Sequence, residues 1–318
     1  MDKKAKIGVA VAVAIAACVG GTLAYVYPYH AKPKKPSPEQ MIKHARIVVC
    51  ITEDLCGGSN YIIPLAARLH KMGVPMTFFV PAWEAYEFPN RLKTVHYKYG
   101  ADLGNHANDG GASFAFLGKP GKIAGLPLEE QWKIIHKTDE LLEKKVGVKP
   151  DAFRAPGLAV DKNTYKALLK EGIWVDSSII YTYPGTRGSP RWIFHHKIVE
   201  VPIACYTKWI YEHGQPVRPK FLCSFADDLF VRPKIKEGKP WEALENLEKG
   251  FMQYYRHGKP GRPTVFVVLF HEPYTANPKY WWIIFDFVKF AKKHKGVVFA
   301  TIDDVARAFV HGQKFTAF

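Results

Sequence analysis

The chain has 318 residues, 47% of them apolar, and a formal net charge of +16. That share of apolar residues can bury a sizeable core and excludes a globally disordered chain. The basic balance suits a solvated surface or an anionic partner. No nucleic-acid module is recognisable and the aromatics do not interleave with Lys and Arg as a stacking platform needs, so nucleic acid is set aside.

In chain order, Lys3, Lys4 and Lys6 precede an uncharged run from Ile7 to Tyr27 that closes on Tyr25, Tyr27 and Tyr29. A helix of about 21 residues reaches roughly 30 Å, the thickness of bilayer hydrocarbon, and terminal tyrosines suit its interface. Residues 1–29 are therefore expected to be a cytoplasmic tip and membrane anchor, with a lipoprotein or cleaved signal (Ile15 to Cys18) as the alternatives. Lys32, Lys34 and Lys35 flank the far side, so the positive-inside rule gives no orientation. Residues 30–44, rich in Pro and Lys, read as a stiff spacer.

From residue 45 to 318, apolar strand-like runs alternate with amphipathic stretches. Strands are expected at Arg46 to Thr52, Pro75 to Val80, Ala101 to His106, Ile173 to Ser178, Ile198 to Ile203, Thr264 to His271 and Gly296 to Thr301. Helices are expected at Tyr61 to Met72, Ala85 to Tyr97, Leu128 to Lys145, Lys162 to Lys170, Trp241 to Tyr255 and Tyr280 to His294. Residues 206–239 are Pro-rich without a clear period and read as an insert. The alternation predicts an α/β fold, a distorted (β/α) barrel of about seven to eight parallel strands. Cys50, Cys56, Cys205 and Cys223 show neither a CxxC nor zinc-ligand spacing, and their pairing is left open.

A barrel gathers its chemistry at the C-terminal strand ends. The polar residues there are Thr52, Glu53 and Asp54, then Asn105 and His106, then Arg154, Asp176 and Ser177, and His271. Amide hydrolysis needs an activated water, a stabilised oxyanion and an acid for the departing amine. Asp54 and His106 are candidate ligands for a divalent ion, with Glu53 as the base acting on the attacking water. Arg154 is a permanent cation suited to holding a carboxylate ionised. His271 is the candidate acid, with Asp176 to keep it protonated.

In order, these strand ends resemble the motifs of the polysaccharide deacetylase family. ITED (Ile51 to Asp54) is similar to its TFDD, GNHANDG (Gly104 to Gly110) to GNHxxxH, and FRAPG (Phe153 to Gly157) to FRxPxG. WVDSS (Trp174 to Ser178) and VLFH (Val268 to His271) are similar to its two remaining strand ends. The resemblance implies a metal-dependent hydrolase, zinc being the expected ion, acting on N-acetylated glycan at the cell surface. Two positions depart from the pattern. Gly110 stands where the second metal-binding histidine belongs, and the first aspartate of the acidic pair is replaced by Glu53 or, one register away, by Thr52. Asp109 is the candidate third ligand. Pro156, Tyr181 and Trp192 are expected around the substrate, while His195 and His196 are expected on the surface. The rival readings are a glycan-binding or structural relative without catalysis, and a hydrolase of another non-peptide C–N bond.

Overall fold

The computed structural model describes residues 37–55, 61–107, 123–180, 185–212, 215–223, 240–271 and 278–318. The expected anchor, Asp109, Tyr181 and the second half of the expected insert lie outside them. Among the described residues no helix is long and apolar enough to cross a membrane.

The first element, α1 (Pro38–Ile42), shortens the expected spacer. Ser37 caps it with a reciprocal Ser37–Gln40 capping box, Pro38 pre-sets the first turn, and Ile42 is fully buried. The body then alternates: β1 (Ile47–Asp54), α2 (Ile62–Lys71), β2 (Met76–Val80), α3 (Ala82–Glu87), α4 (Pro89–Lys93), β3 (Asp102–Asn105), α5 (Leu128–Leu141), β4 (Ala152–Phe153), α6 (Lys162–Glu171) and β5 (Val175–Asp176). It continues with β6 (Arg191–Ile193), β7 (Ile198–Glu200), β8 (Cys205–Glu212), β9 (Gln215–Cys223), α7 (Pro240–His257), β10 (Thr264–His271), α8 (Trp281–Lys292), β11 (Val297–Phe299) and α9 (Ile302–Val310).

Strands lie in the order β10-β1-β2-β3-β4-β5-β7, every neighbouring pair parallel, and β11 adds in parallel beside Ile47–Val49 of β1. Past β7 the chain crosses to the other edge. Ile203 bridges to Ile180, and Ala204 donates its N–H to the Val267 carbonyl of β10 at 3.1 Å. The sheet thereby closes into the expected (β/α) barrel. The expected insert begins as an antiparallel hairpin, β8 with β9, whose base is pinned where the Tyr254 hydroxyl bonds both the N–H and the carbonyl of Cys205.

Side-chain parity sorts each strand into an inner and an outer row. Val48 and Cys50 of β1 and Val265, Val267 and Leu269 of β10 pack inward with Phe79, Ala152, Val175 and Val199. Ile47, Val49 and Ile51, and Phe266, Val268 and Phe270, pack outward against Leu65 and Leu69 of α2 and Phe287 of α8. Helix α9, capped by a Thr301–Asp304 box, packs Ile302, Val305 and Ala306 with the inner row.

Candidate active site

The same parity decides which polar strand ends meet. Thr52, Asp54, His106, Arg154, Ser177 and His271 continue inner rows. Glu53, Asn105, Asp176 and Glu200 continue outer rows.

Arg154 organises the inner group. Its guanidinium is completely buried and donates from Nε to the Ser177 carbonyl (2.8 Å) and from Nη2 to Ser177 Oγ (2.8 Å). From Nη1 it donates to Thr52 Oγ1 (2.8 Å) and Asp54 Oδ1 (3.0 Å), and its plane lies 4.1 Å over the Phe79 ring. A rigid fork of five donors can make these bonds at once; a lysine cannot. Burial alone would raise the Asp54 pKa, but the charges of Arg154, His106 and His271 outweigh it and hold the carboxyl well below its ordinary range.

Two imidazoles face the other oxygen of Asp54. His106 Nε2 stands 3.8 Å and His271 Nε2 3.5 Å from Asp54 Oδ2. His106 Nδ1 is 2.7 Å from the Arg154 carbonyl. A carbonyl only accepts, so Nδ1 carries a proton, and Nε2 is the nitrogen that faces the carboxylate. His271 differs in keeping 22% of its side chain exposed, as a group that meets substrate must.

The turn that aims His106 is built from outside the barrel. Asn105 Nδ2 donates to the Ile135 carbonyl (2.9 Å) and Asp139 Oδ1 (2.5 Å) of α5, and its Oδ1 accepts the Ala107 N–H (2.7 Å). Thr138 holds the Ala107 carbonyl at 2.6 Å. Gly104 is required because a Cβ there would lie 2.6 Å from the Phe79 ring.

Several expected placements change. Glu53 is buried but shares the outer row with Ile51, on the face away from Asp54, so the base role assigned to it does not fit its position. Asp176 does not stand beside His271, because it continues the outer row of β5 and His271 the inner row of β10, with β7 between the two strands. Its neighbours are Ser178, which donates to it at 2.5 Å, and Glu200, directly opposite on β7. Burial pushes Asp176 to about 6 and Glu200 well above its ordinary range. Glu200 went unnoticed in the sequence, although a lone charge inside IVEVPI marks it. Pro156 is buried at the start of a single helical turn, Pro156–Leu158. Trp192, expected at the mouth, leans on Phe309 of α9 with ring centroids 5.9 Å apart and shares a cavity with Trp174 and Lys197. Those two residues precede β5 and β7, so this is the opposite end of the barrel. His195 and His196 are exposed, as expected.

Residues 43–175 match the profile of the polysaccharide deacetylases. That stretch, from just before β1 to the start of β5, is similar to the polysaccharide deacetylase family. A comparison with curated proteins returns no match. Among solved structures, a protein of Mycobacterium smegmatis described as a polysaccharide deacetylase is 17% identical, with a TM-score of 0.59 over 85% of this chain and 92% of the other. One of Pseudomonas aeruginosa PAO1, described likewise, is 14% identical, with a TM-score of 0.62 over 89% and 96%. An allantoinase is 15% identical, with a TM-score of 0.63 over 91% and 97%. At these identities the likeness establishes the barrel.

Against the deacetylase motif TFDD, the inner pair Thr52 and Asp54 reproduces the T-x-D spacing. In that register Asp54 takes the first aspartate's place and buried Leu55 the second. Deacetylases of this family generally depend on a divalent metal. Among the described residues no group of three or more His, Cys, Asp or Glu side chains is disposed to hold one. Asp54 Oδ2 and His106 Nε2 are two donors of suitable type, 3.8 Å apart.

Proposed function

We propose that this chain is a membrane-anchored, metal-dependent hydrolase that removes acetyl groups from N-acetylated cell-surface polysaccharide. The observation that carries the reading is the convergence of His106, Arg154 and His271 on Asp54 at the strand ends. Asp54, held ionised by Arg154, orients a water through Oδ2. His271, at the exposed side of the group, delivers a proton to the departing nitrogen. The family and the donor types favour a divalent ion, zinc by expectation, held by Asp54, His106 and Asp109. Such an ion supplies Lewis-acid polarisation of the amide carbonyl and lowers the pKa of water. The uncharged run from Ile7 to Tyr27 supports the anchor, and an anchored domain outside the cell meets polymeric glycan. Acetate release from N-acetylchitohexaose by the full chain tests the reading; a rate unchanged in Asp54→Asn sinks it.

A second reading is favoured by Leu55 and Gly110, two apolar positions where the family motif has metal ligands. In that reading the barrel binds glycan without turnover. Glycan binding with no acetate release under saturating zinc distinguishes it.

A further inference from the structure

We propose that the cavity at the far end of the barrel, beneath Trp174 and Trp192, binds an anionic saccharide. The cavity measures about 480 Å³, enough for one or two sugar rings, and no acidic side chain lines it. Trp192 stands on β6, the one antiparallel strand at the edge of the main sheet, and is 38% exposed. Trp174 is half-buried at the entry to β5. Exposed indoles offer flat apolar faces to the C–H faces of a pyranose and an N–H to its hydroxyls.

The rim is cationic. Arg307 is engaged with Asp151 at 2.8 Å, so its charge is largely answered, and His311 Nδ1 lies 3.2 Å from Glu39. Lys197 and His196 are exposed and take part in none of the ion pairs among the described residues. A neutral sugar leaves Lys197 unused, whereas a carboxylate or phosphate on the ring completes it. The net charge of +16 draws the same class of ligand.

The backbone supports a built feature rather than a chance dent. Phe194, His195 and His196 have φ values of 43°, 58° and 59°, three successive non-glycine residues in the left-handed region. A glycine-bearing turn joins β6 to β7 without strain. This one instead holds His196 and Lys197 against the cavity, while Phe194 packs on Tyr165 of α6 at 5.5 Å.

The inference needs no catalytic step, so it stands or falls apart from the deacetylase reading. Calorimetric titration of the full chain with trigalacturonate, glucose 1-phosphate and chitotriose tests it. We expect at least one anionic probe to bind, at least ten-fold more weakly in Trp192→Ala and in Lys197→Glu, and more weakly as salt rises. Lys197→Glu changes an exposed side chain and keeps the test free of folding defects. Tighter binding of trigalacturonate points to a carboxylated glycan and tighter binding of glucose 1-phosphate to a phosphorylated one; either supports the site. Equal affinity in wild type and both variants, or preference for chitotriose over both anions, overturns it.

Discussion

Asp54 Oδ1 and Arg154 Nη1 lie 3.0 Å apart, with 3% and 0% of their side chains exposed. A buried pair is costly to break because the survivor is left charged in a poor solvent. Arg154→Met is expected to destabilise the barrel by about 3–5 kcal/mol, read by urea unfolding at neutral pH. Adding Asp54→Asn should recover part of that loss. The sign with pH follows from the depressed carboxyl. Its contribution is present above the ordinary aspartate range near pH 4 and is lost as pH falls towards the folded value.

His271 carries the enzyme reading. It ends a strand whose preceding residues, Thr264 to Phe270, are all buried, yet is itself partly exposed beside Asp54. His271→Ala should lower acetate release about 10²–10⁴-fold, the usual worth of a positioned acid. The same variant should shift the thermal midpoint by less than about 4 °C, since little packing is lost. A drop in activity matched by a collapse of the fold would instead give His271 a structural role.

Much of the barrel was legible because β1 and β10 are apolar on both faces, which only a covered parallel sheet requires. Strand-end chemistry was legible as a set but not as an arrangement. Linear order makes Glu53 and Asp54 look like a working pair, whereas the two-residue period sends them to opposite faces. Asp176 was matched to His271 on residue type alone, and the parity of their strands separates them. Asp139 and Glu200 gain their importance from register and helix docking, which no local spacing records. Helix α9 and helix α1 escape the sequence reading despite legible capping boxes, because both are short, α1 lying inside the expected spacer and α9 directly after the last expected strand. In the insert, Pro216 and Pro219 mask the alternation of β9.

His106 tests the metal. With Nδ1 committed to the Arg154 carbonyl, only Nε2 is left to coordinate. Purified full-length protein is expected to hold about one divalent ion per chain by elemental analysis, and His106→Ala to lose it. A His106→Ala protein that retains a full equivalent moves the metal away from Asp54.

The N-terminal run makes a separable prediction. Deleting residues 1–36 should release the protein into the soluble fraction, since it removes the apolar span together with the start of the Pro-rich spacer. Continued sedimentation with membranes would place the attachment on the barrel instead.

Asp139 supplies the pH test. Burial pushes its carboxyl to about 7 even though Asn105 donates to it. The folded state therefore retains a proton that the unfolded chain releases near pH 4, so the contribution of this group is greatest below about pH 4 and falls as pH rises towards 7. Asp102 and Asp176, pushed to about 6, act in the same direction. Asp139→Asn removes one ionisation and keeps a carbonyl to accept from Asn105. Urea unfolding at pH 5 and pH 8 should show a smaller difference in stability for the variant than for the wild type. The loss with rising pH should come from the pH 8 arm. If the two proteins show the same slope, Asp139 ionises normally, and the Asn105 turn that aims His106 is held by the Ile135 carbonyl and Thr138 without it.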